Sequence, residues 1–214
     1  MRVIAVPVKS LSRAKSRLSP LLSPLERAAL TLAMLEDVLD ATLEVPGWES
    51  WVVSPDEAVL EVAVRRGAHP LAEVKPPLSA AVRQVEDEAV DRGVDALAVV
   101  PADLALLSVA ALAEALHTLG PVVLAPSEDK GGTNLLLRRP PKAIPARFGP
   151  GSFLKHRQGA MARGLPVSVV DWPELTFDLD TGGDLPRLLS AGRPGRTLAT
   201  CRELDVGARL VART

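Results

Sequence analysis

The chain has 214 residues, 47% hydrophobic but only 3% aromatic, so the expectation is one domain with a core built from Leu, Val and Ala. Its 25 Lys and Arg balance 26 Asp and Glu to a formal net charge of −1, which argues against a nucleic-acid binder and against an electrostatic membrane anchor. A lone cysteine, Cys201, leaves no internal disulfide; with no signal-peptide-like start and no run of about 20 apolar residues, a cytoplasmic protein is expected.

Strand-like and helix-like segments alternate along the chain. Residues 2–8 form a β-branched run suited to a strand covered on both faces. A polar loop follows from Lys9 to Ser19. Ser23, Pro24 and Glu26 then spell an N-cap, a first helical position and a capping box. Leu25, Ala29, Leu32, Leu35 and Leu39 predict the buried face of that helix. Trp51 to Val53 reads as a strand, and a helix from about Asp56 stops at Gly67. Another helix runs from about Ser79 to Arg92. Asp95 to Val100 is a strand ending in Pro101-Ala102-Asp103-Leu104. Ser108 caps a helix that ends near Gly120, and Pro121 to Ala125 is a strand. The order implies a single-domain, Rossmann-like α/β fold with a mostly parallel sheet and helices on both faces. Ligands of such sheets bind outside the carboxyl ends of the strands, so loops 9–19, 54–56, 101–104 and 126–133 are expected to line one crevice.

The second half is less regular. Residues 133–138 read as a strand, a helix capped by Ser152 ends near Gly164, and Pro166 to Val170 and Leu175 to Leu179 read as strands. Asp184 to Leu189 is a short helix. The organisation expected is one main domain over 1–190 and a tail over 191–214, either a packing arm or a flexible end.

Four segments could carry chemistry. The loop from Lys9 to Arg17 holds four cations in nine residues at a strand's carboxyl end, where Lys15 and Arg17 could neutralise phosphates or simply form a solvated basic loop. It has neither Gly-x-Gly-x-x-Gly nor a Walker loop. Asp103 follows an apolar strand, and Asp178 and Asp180 would share one face of a strand. Two such carboxylates about 4 Å apart repel by roughly 4 kcal/mol at an effective dielectric of about 20, a cost that a divalent cation offsets. Alone, the Asp-x-Asp reads better as a turn with Asp180 capping a helix; with Asp103 beside it, the metal reading is the better one. Lys130-Gly131-Gly132-Thr133-Asn134 allows close backbone approach to a ligand or makes an ordinary turn. Phe148-Gly149-Pro150-Gly151-Ser152-Phe153 sets glycines ahead of a helix N-terminus, suited to an anion or to plain capping, with His156 one turn on. No general base stands out. A phosphate monoester nucleophile needs none, because it is already anionic at neutral pH.

Taken in order, these segments resemble the 2-phospho-L-lactate guanylyltransferase / phosphoenolpyruvate guanylyltransferase family (CofC/FbiD) of coenzyme F-420 biosynthesis. The matching stretches are Pro7-Val8-Lys9 with Arg13 to Leu18, Val53 to Asp56, Pro101 to Leu104, Gly131 to Asn134, Phe148 to Phe153 with His156, and Asp178 to Thr181, spanning residues 5 to about 185. The resemblance implies a GT-A-like fold and transfer of GMP from GTP to a phosphorylated three-carbon acid, with release of pyrophosphate. It implies magnesium on Asp103, Asp178 and Asp180, catalytic roles for Lys15, Arg17 and Asp103, nucleotide contacts from Val8, Lys9, Lys15, Ser54 and Pro101, and acceptor contacts from Thr133, Gly149 and Ser152. Two positions depart from the pattern: Ser79 follows Leu78 where Asn is expected, and Gly182-Gly183-Asp184 replaces Pro-Glu-Asp. A related enzyme of sugar phosphates or molybdopterin, usually with a Gly-rich first loop, and a non-catalytic nucleotide-binding regulator are the competing readings. Neither nucleic acid nor membrane is an expected partner, and a homodimer is left open.

Overall fold

The computed structural model describes residues 1–74 and 78–212. Seven strands, β1 (Arg2–Pro7), β2 (Glu49–Ser54), β3 (His69–Ala72), β4 (Ala96–Val99), β5 (Val122–Pro126), β6 (Thr133–Arg138) and β7 (Val167–Val169), form one sheet in the order β3-β2-β1-β4-β6-β5-β7. The helices are α1 (Pro24–Leu43), α2 (Glu57–Arg66), α3 (Leu78–Asp91), α4 (Val109–His117), α5 (Ser152–Met161), α6 (Pro173–Thr176), α7 (Leu185–Ala191), α8 (Arg196–Glu203) and α9 (Val206–Val211). Among the described residues no helix is long and apolar enough to cross a membrane.

The continuous apolar run of β1 is explained by its two covered faces. Ile4 and Val6 pack with Leu35, Val38 and Leu39 of α1, Val59 of α2 and Leu112 of α4. Val3 and Ala5 face the other way, onto Ala81, Val85 and Ala89 of α3. Helix α5 covers the same side further along, with Phe153 against Val99, Leu124 and Leu136. The strands β3, β2, β1 and β4 pair in parallel. Strand β6 runs antiparallel to both neighbours, β4 and β5. Its connection from β5, residues 127–132, is too short for the crossover that a parallel pair requires. The reversal brings the amino end of β6 to the edge of the sheet where β1 and β4 present their carboxyl ends.

The capping box at α1 forms as predicted: Ser23 accepts from Glu26 N, and Glu26 accepts from Ser23 N. The buried face of α1 differs from expectation at its start. Leu25 is 80% exposed, and Leu30, Met34, Leu35, Val38 and Leu39 carry the core, because α1 is covered on a second flank by the chain's end. Strand β3 was not expected; it is short, contains Pro70 and lies at the sheet edge, where a missing N–H is tolerated. Leu175 to Leu179 is not a strand. Pro173 starts a short helical turn, and the extended chain beyond it is tied by Leu179 N donating to Asp103 O at 3.1 Å. The N-cap of α5 is Gly151 at φ 70°, not Ser152, which is the first helical residue; the Gly-Pro-Gly sequence supplies the left-handed backbone.

The chain after Arg193 forms α8 and α9 against α1. Arg196 N and Thr197 N each donate to Asp37 at 2.8 Å, and Arg209 pairs with Glu26 at 2.7 Å. Gly195 permits this approach: a Cβ there would stand 2.7 Å from Asp37 Oδ2. The Asp37 carboxylate is thus the anion at the N-terminus of α8. Replacing Asp37 with Ala is expected to cost about 2 kcal/mol in chemical denaturation and to speed amide exchange at Arg196 and Thr197 specifically.

Candidate active site

The carboxyl ends of β1 and β4, the amino ends of β6 and α5, and residues 178–184 enclose a cavity of about 990 Å³. The loop after β1 is held open over it by fixed partners. Leu11 N and Ser10 Oγ donate to the Asp56 carboxylate at 3.0 and 3.3 Å, and Arg27 donates to Ala14 O and Leu22 O at 3.4 and 2.9 Å. Two 3-10 turns, Leu11–Arg13 and Ser16–Leu18, flank Lys15, whose backbone is left-handed at φ 48°. That conformation is uncommon for a side-chain-bearing residue and is stabilised here by what Lys15 touches.

Lys15 Nζ lies 2.7 Å from Asp103 Oδ2 and 2.8 Å from Asp180 Oδ1, with its side chain 9% exposed. Burial alone would lower the Lys15 pKa; the two carboxylates outweigh it and raise it above the ordinary value. Burial pushes Asp180 the other way, but Lys15, Arg17 and Lys9 hold its carboxyl below the usual range. Arg17 sits at the mouth, 72% exposed, with Nη1 3.6 Å from Asp180 Oδ2. The backbone of the acidic turn is fixed by Asp184, which accepts from Asp180 N at 3.0 Å and Thr181 N at 2.6 Å. Asp178 lies deeper. Burial, with the charges of Asp103 and Asp180, pushes its pKa up to about 6 against the opposing pull of a hydrogen bond from Asn134 Nδ2 at 3.2 Å.

Across the cavity, Thr133 Oγ1 lies 2.9 Å from Ser152 Oγ and 3.0 Å from His156 Nδ1. His156 is fully buried, and its ring meets Phe148 edge-on. The glycine pair keeps the preceding loop tight: Gly132 N donates to Ser127 Oγ at 2.6 Å, and a Cβ on Gly132 would come within 2.9 Å of that oxygen. The register between β5 and β6 slips here. Ala125 pairs with Leu135 and Pro126 with Thr133, leaving Asn134 as a bulge. Neighbouring strand residues normally face opposite ways, whereas Thr133 and Asn134 both border the cavity.

The structure brings together Val8, Lys9, Lys15, Arg17, Pro101, Asp103, Thr133, Gly149, Ser152, Asp178 and Asp180 around this one space. Ser54 is not among them. It is fully buried, and its hydroxyl accepts from Asp56 N at 3.1 Å, so the 54–56 turn buttresses the first loop instead of lining the crevice. Ser79 does not border the cavity either, and the side chain of Leu78 lies outside the described residues. Asp56 and Asp184 read in the sequence only as helix starts, and the structure shows them as carboxylate acceptors for the two loops; Asp184, four residues after Asp180, has the spacing of a local backbone acceptor.

Comparison with known proteins identifies the family and the fold. The family profile described as guanylyl transferase CofC-like matches residues 1–209. A phosphoenolpyruvate guanylyltransferase of Rubrobacter xylanophilus is 45% identical over 196 residues, covering 90% of this chain and 96% of the relative. A 2-phospho-L-lactate guanylyltransferase of Methanothermobacter thermautotrophicus is 38% identical over 190 residues, covering 87% and 83%. Among solved structures, a candidate nucleotide-diphospho-sugar transferase of Desulfovibrio desulfuricans superposes with a TM-score of 0.79 at 22% identity, covering 99% of this chain and 98% of that one, and so shares its fold. The chain therefore belongs to the CofC-like guanylyl transferase family.

Proposed function

We propose that this protein transfers the guanylyl group of GTP to the phosphate of a phosphorylated three-carbon acid, phosphoenolpyruvate first among the candidates, and releases pyrophosphate. The observation that carries the reading is the pairing, across one cavity, of the Lys15–Asp103–Asp180 cluster with the Thr133–Ser152 hydroxyl pair. The names of the relatives support the acceptor class, and the GTP supply of the cytoplasm suits the reaction.

The donor set suits magnesium. Asp103 and Asp180 already converge on one point of positive charge, now the Lys15 ammonium, and all their donor atoms are oxygen. Among the described residues no three His, Cys, Asp or Glu side chains form a cage. Magnesium takes one or two carboxylates and completes its shell with substrate phosphates. Asp103 and Asp180, with Asp178 behind them, would hold the ion, which would neutralise charge on the triphosphate. Lys15 and Arg17 would face the phosphates as a point charge and a fork. On the other wall, Thr133, Ser152 and the Gly149 backbone would hold the acceptor acid. Its phosphate oxygen forms the new bond to the α-phosphorus as the bond to pyrophosphate breaks, and pyrophosphate leaves with the electron pair. No proton need be removed, since the nucleophile is already anionic. His156 suits this scheme: burial, with Arg138, Arg147 and Lys155 nearby, holds its pKa down at about 4, so it is not a general base at neutral pH.

Pyrophosphate release from GTP and magnesium, measured separately with phosphoenolpyruvate, 2-phospho-L-lactate and 3-phosphoglycerate and with a trap for the product, is expected to depend on one of the three. Absence of release with all three, from folded protein that binds GTP, would overturn the reading. Asp180→Asn is expected to lower turnover by roughly 100-fold or more while the protein stays folded, as read by circular dichroism. Asp178 gives an independent test in stability. Its folded pKa of about 6 lies above the ordinary 3.8, so its contribution favours the folded state below 3.8 and is lost as pH rises through 6. Asp178→Asn is therefore expected to stabilise the protein on the order of 1–2 kcal/mol at pH 8 and by nothing measurable below pH 4, read by denaturation at the two pH values.

A further inference from the structure

We infer that His156 is a positioning residue that donates to Thr133 and so keeps the Thr133 proton out of a bond to the imidazole, leaving one hydroxyl proton of the Thr133–Ser152 pair for the ligand, so that the acceptor subsite donates to an anionic oxygen. The inference rests on the proposed role of Thr133 and Ser152 as acceptor contacts, and it follows from counting protons.

Arg147 N donates to His156 Nε2 at 2.8 Å. A backbone amide can only donate, so Nε2 carries a lone pair. The neutral imidazole then has its proton on Nδ1, and Nδ1 is the donor in the 3.0 Å bond to Thr133 Oγ1. Thr133 therefore keeps its own proton. Its hydroxyl and that of Ser152, 2.9 Å apart, hold two protons between them, and their mutual bond uses one. The other is free for whatever occupies the cavity, which both residues border although Thr133 is 4% and Ser152 1% exposed. The opposite tautomer would reverse the chain. Nδ1 would accept from Thr133, Thr133 would accept from Ser152, and no proton would remain for the ligand. The arrangement is also robust to pH. His156 is enclosed; among the described residues the charges that act on it are those of Arg138, Arg147 and Lys155, and with burial they hold its pKa down at about 4. The ligand chemistry selected is an oxygen that only accepts, as in a carboxylate or a phosphate.

Two measurements test this. In the wild-type protein, imidazole nitrogen chemical shifts should show His156 as the Nδ1–H tautomer from pH 8 down to pH 5; the Nε2–H tautomer or an imidazolium would overturn the inference, whatever the variants do. In kinetics, using the acid that supports pyrophosphate release, His156→Asn retains a donor near the Nδ1 position, whereas His156→Gln moves its amide to the Nε2 position and withdraws it. The expected result is an acceptor KM raised roughly 10-fold in His156→Gln and in Thr133→Val, less than about 3-fold in His156→Asn, with the GTP KM unchanged in all three. Equal effects of Asn and Gln would mean that packing, not proton direction, is what His156 supplies, and would overturn the inference. If Thr133→Val raises the acceptor KM and His156→Gln does not, this inference fails alone. If Thr133→Val leaves the acceptor KM unchanged, the subsite reading fails and takes this inference with it.

Discussion

One buried cation organises the site. Lys15 joins the loop after the first strand to Asp103, after the fourth, and to Asp180, near the end of the α/β region. Three stretches distant in sequence are pinned by charge-assisted bonds shorter than 3 Å. Without the ammonium, three partly buried carboxylates would face one another in a medium where like charges repel strongly. The left-handed backbone of Lys15 and the anchoring of its loop by Asp56 and Arg27 both serve that placement. In the proposed reaction the carboxylates would pass to a metal cation and the ammonium to a phosphate.

The sheet supplies the other condition. In a wholly parallel sheet, only loops following strands reach the ligand edge. Reversal of β6 adds a strand's beginning to that edge, so Thr133 and Asn134 act from the rigid end of a ladder. The acceptor wall is also braced from behind, by α5 through Ser152 and by the buried imidazole of His156. Rigid backing matters where catalysis is mainly positioning, because misplacement of reacting groups by about 1 Å can cost on the order of 100-fold in rate.

Much of this was legible in the sequence because it is written in local chemistry. The Ser23-Pro24-Glu26 cap, the Gly67 stop and the apolar run of β1 each depend on neighbours within a few residues or on a repeating pattern. The grouping of Asp103 with Asp178 and Asp180 was also legible, though for a mistaken reason. No strand holds Asp178 and Asp180; they are gathered by the bond from Leu179 N to Asp103 O, by Lys15 on Asp180, by Asn134 on Asp178 and by the acceptor Asp184. What could not be read depends on pairing between distant segments. Edge strand β3 has only four residues, one of them proline, so its pattern is too short to register. The inward rotation of the α1 face away from Leu25 depends on helices more than a hundred residues downstream. Ser54 fits the family pattern at a strand end, yet its hydroxyl is committed to the turn that follows.

The bulge at Asn134 makes two tasks mechanically inseparable. Thr133 grips the acceptor wall, and Asn134, the next residue, holds both Thr176 O and Asp178. They face the same space because one extra residue interrupts the alternation of the strand. Consecutive residues therefore couple the two walls through one peptide unit and the hydrogen bonds of a single side chain, Asn134 Nδ2 to Thr176 O and to Asp178 Oδ1. A shift of Thr133 is felt at Asp178 through that short linkage.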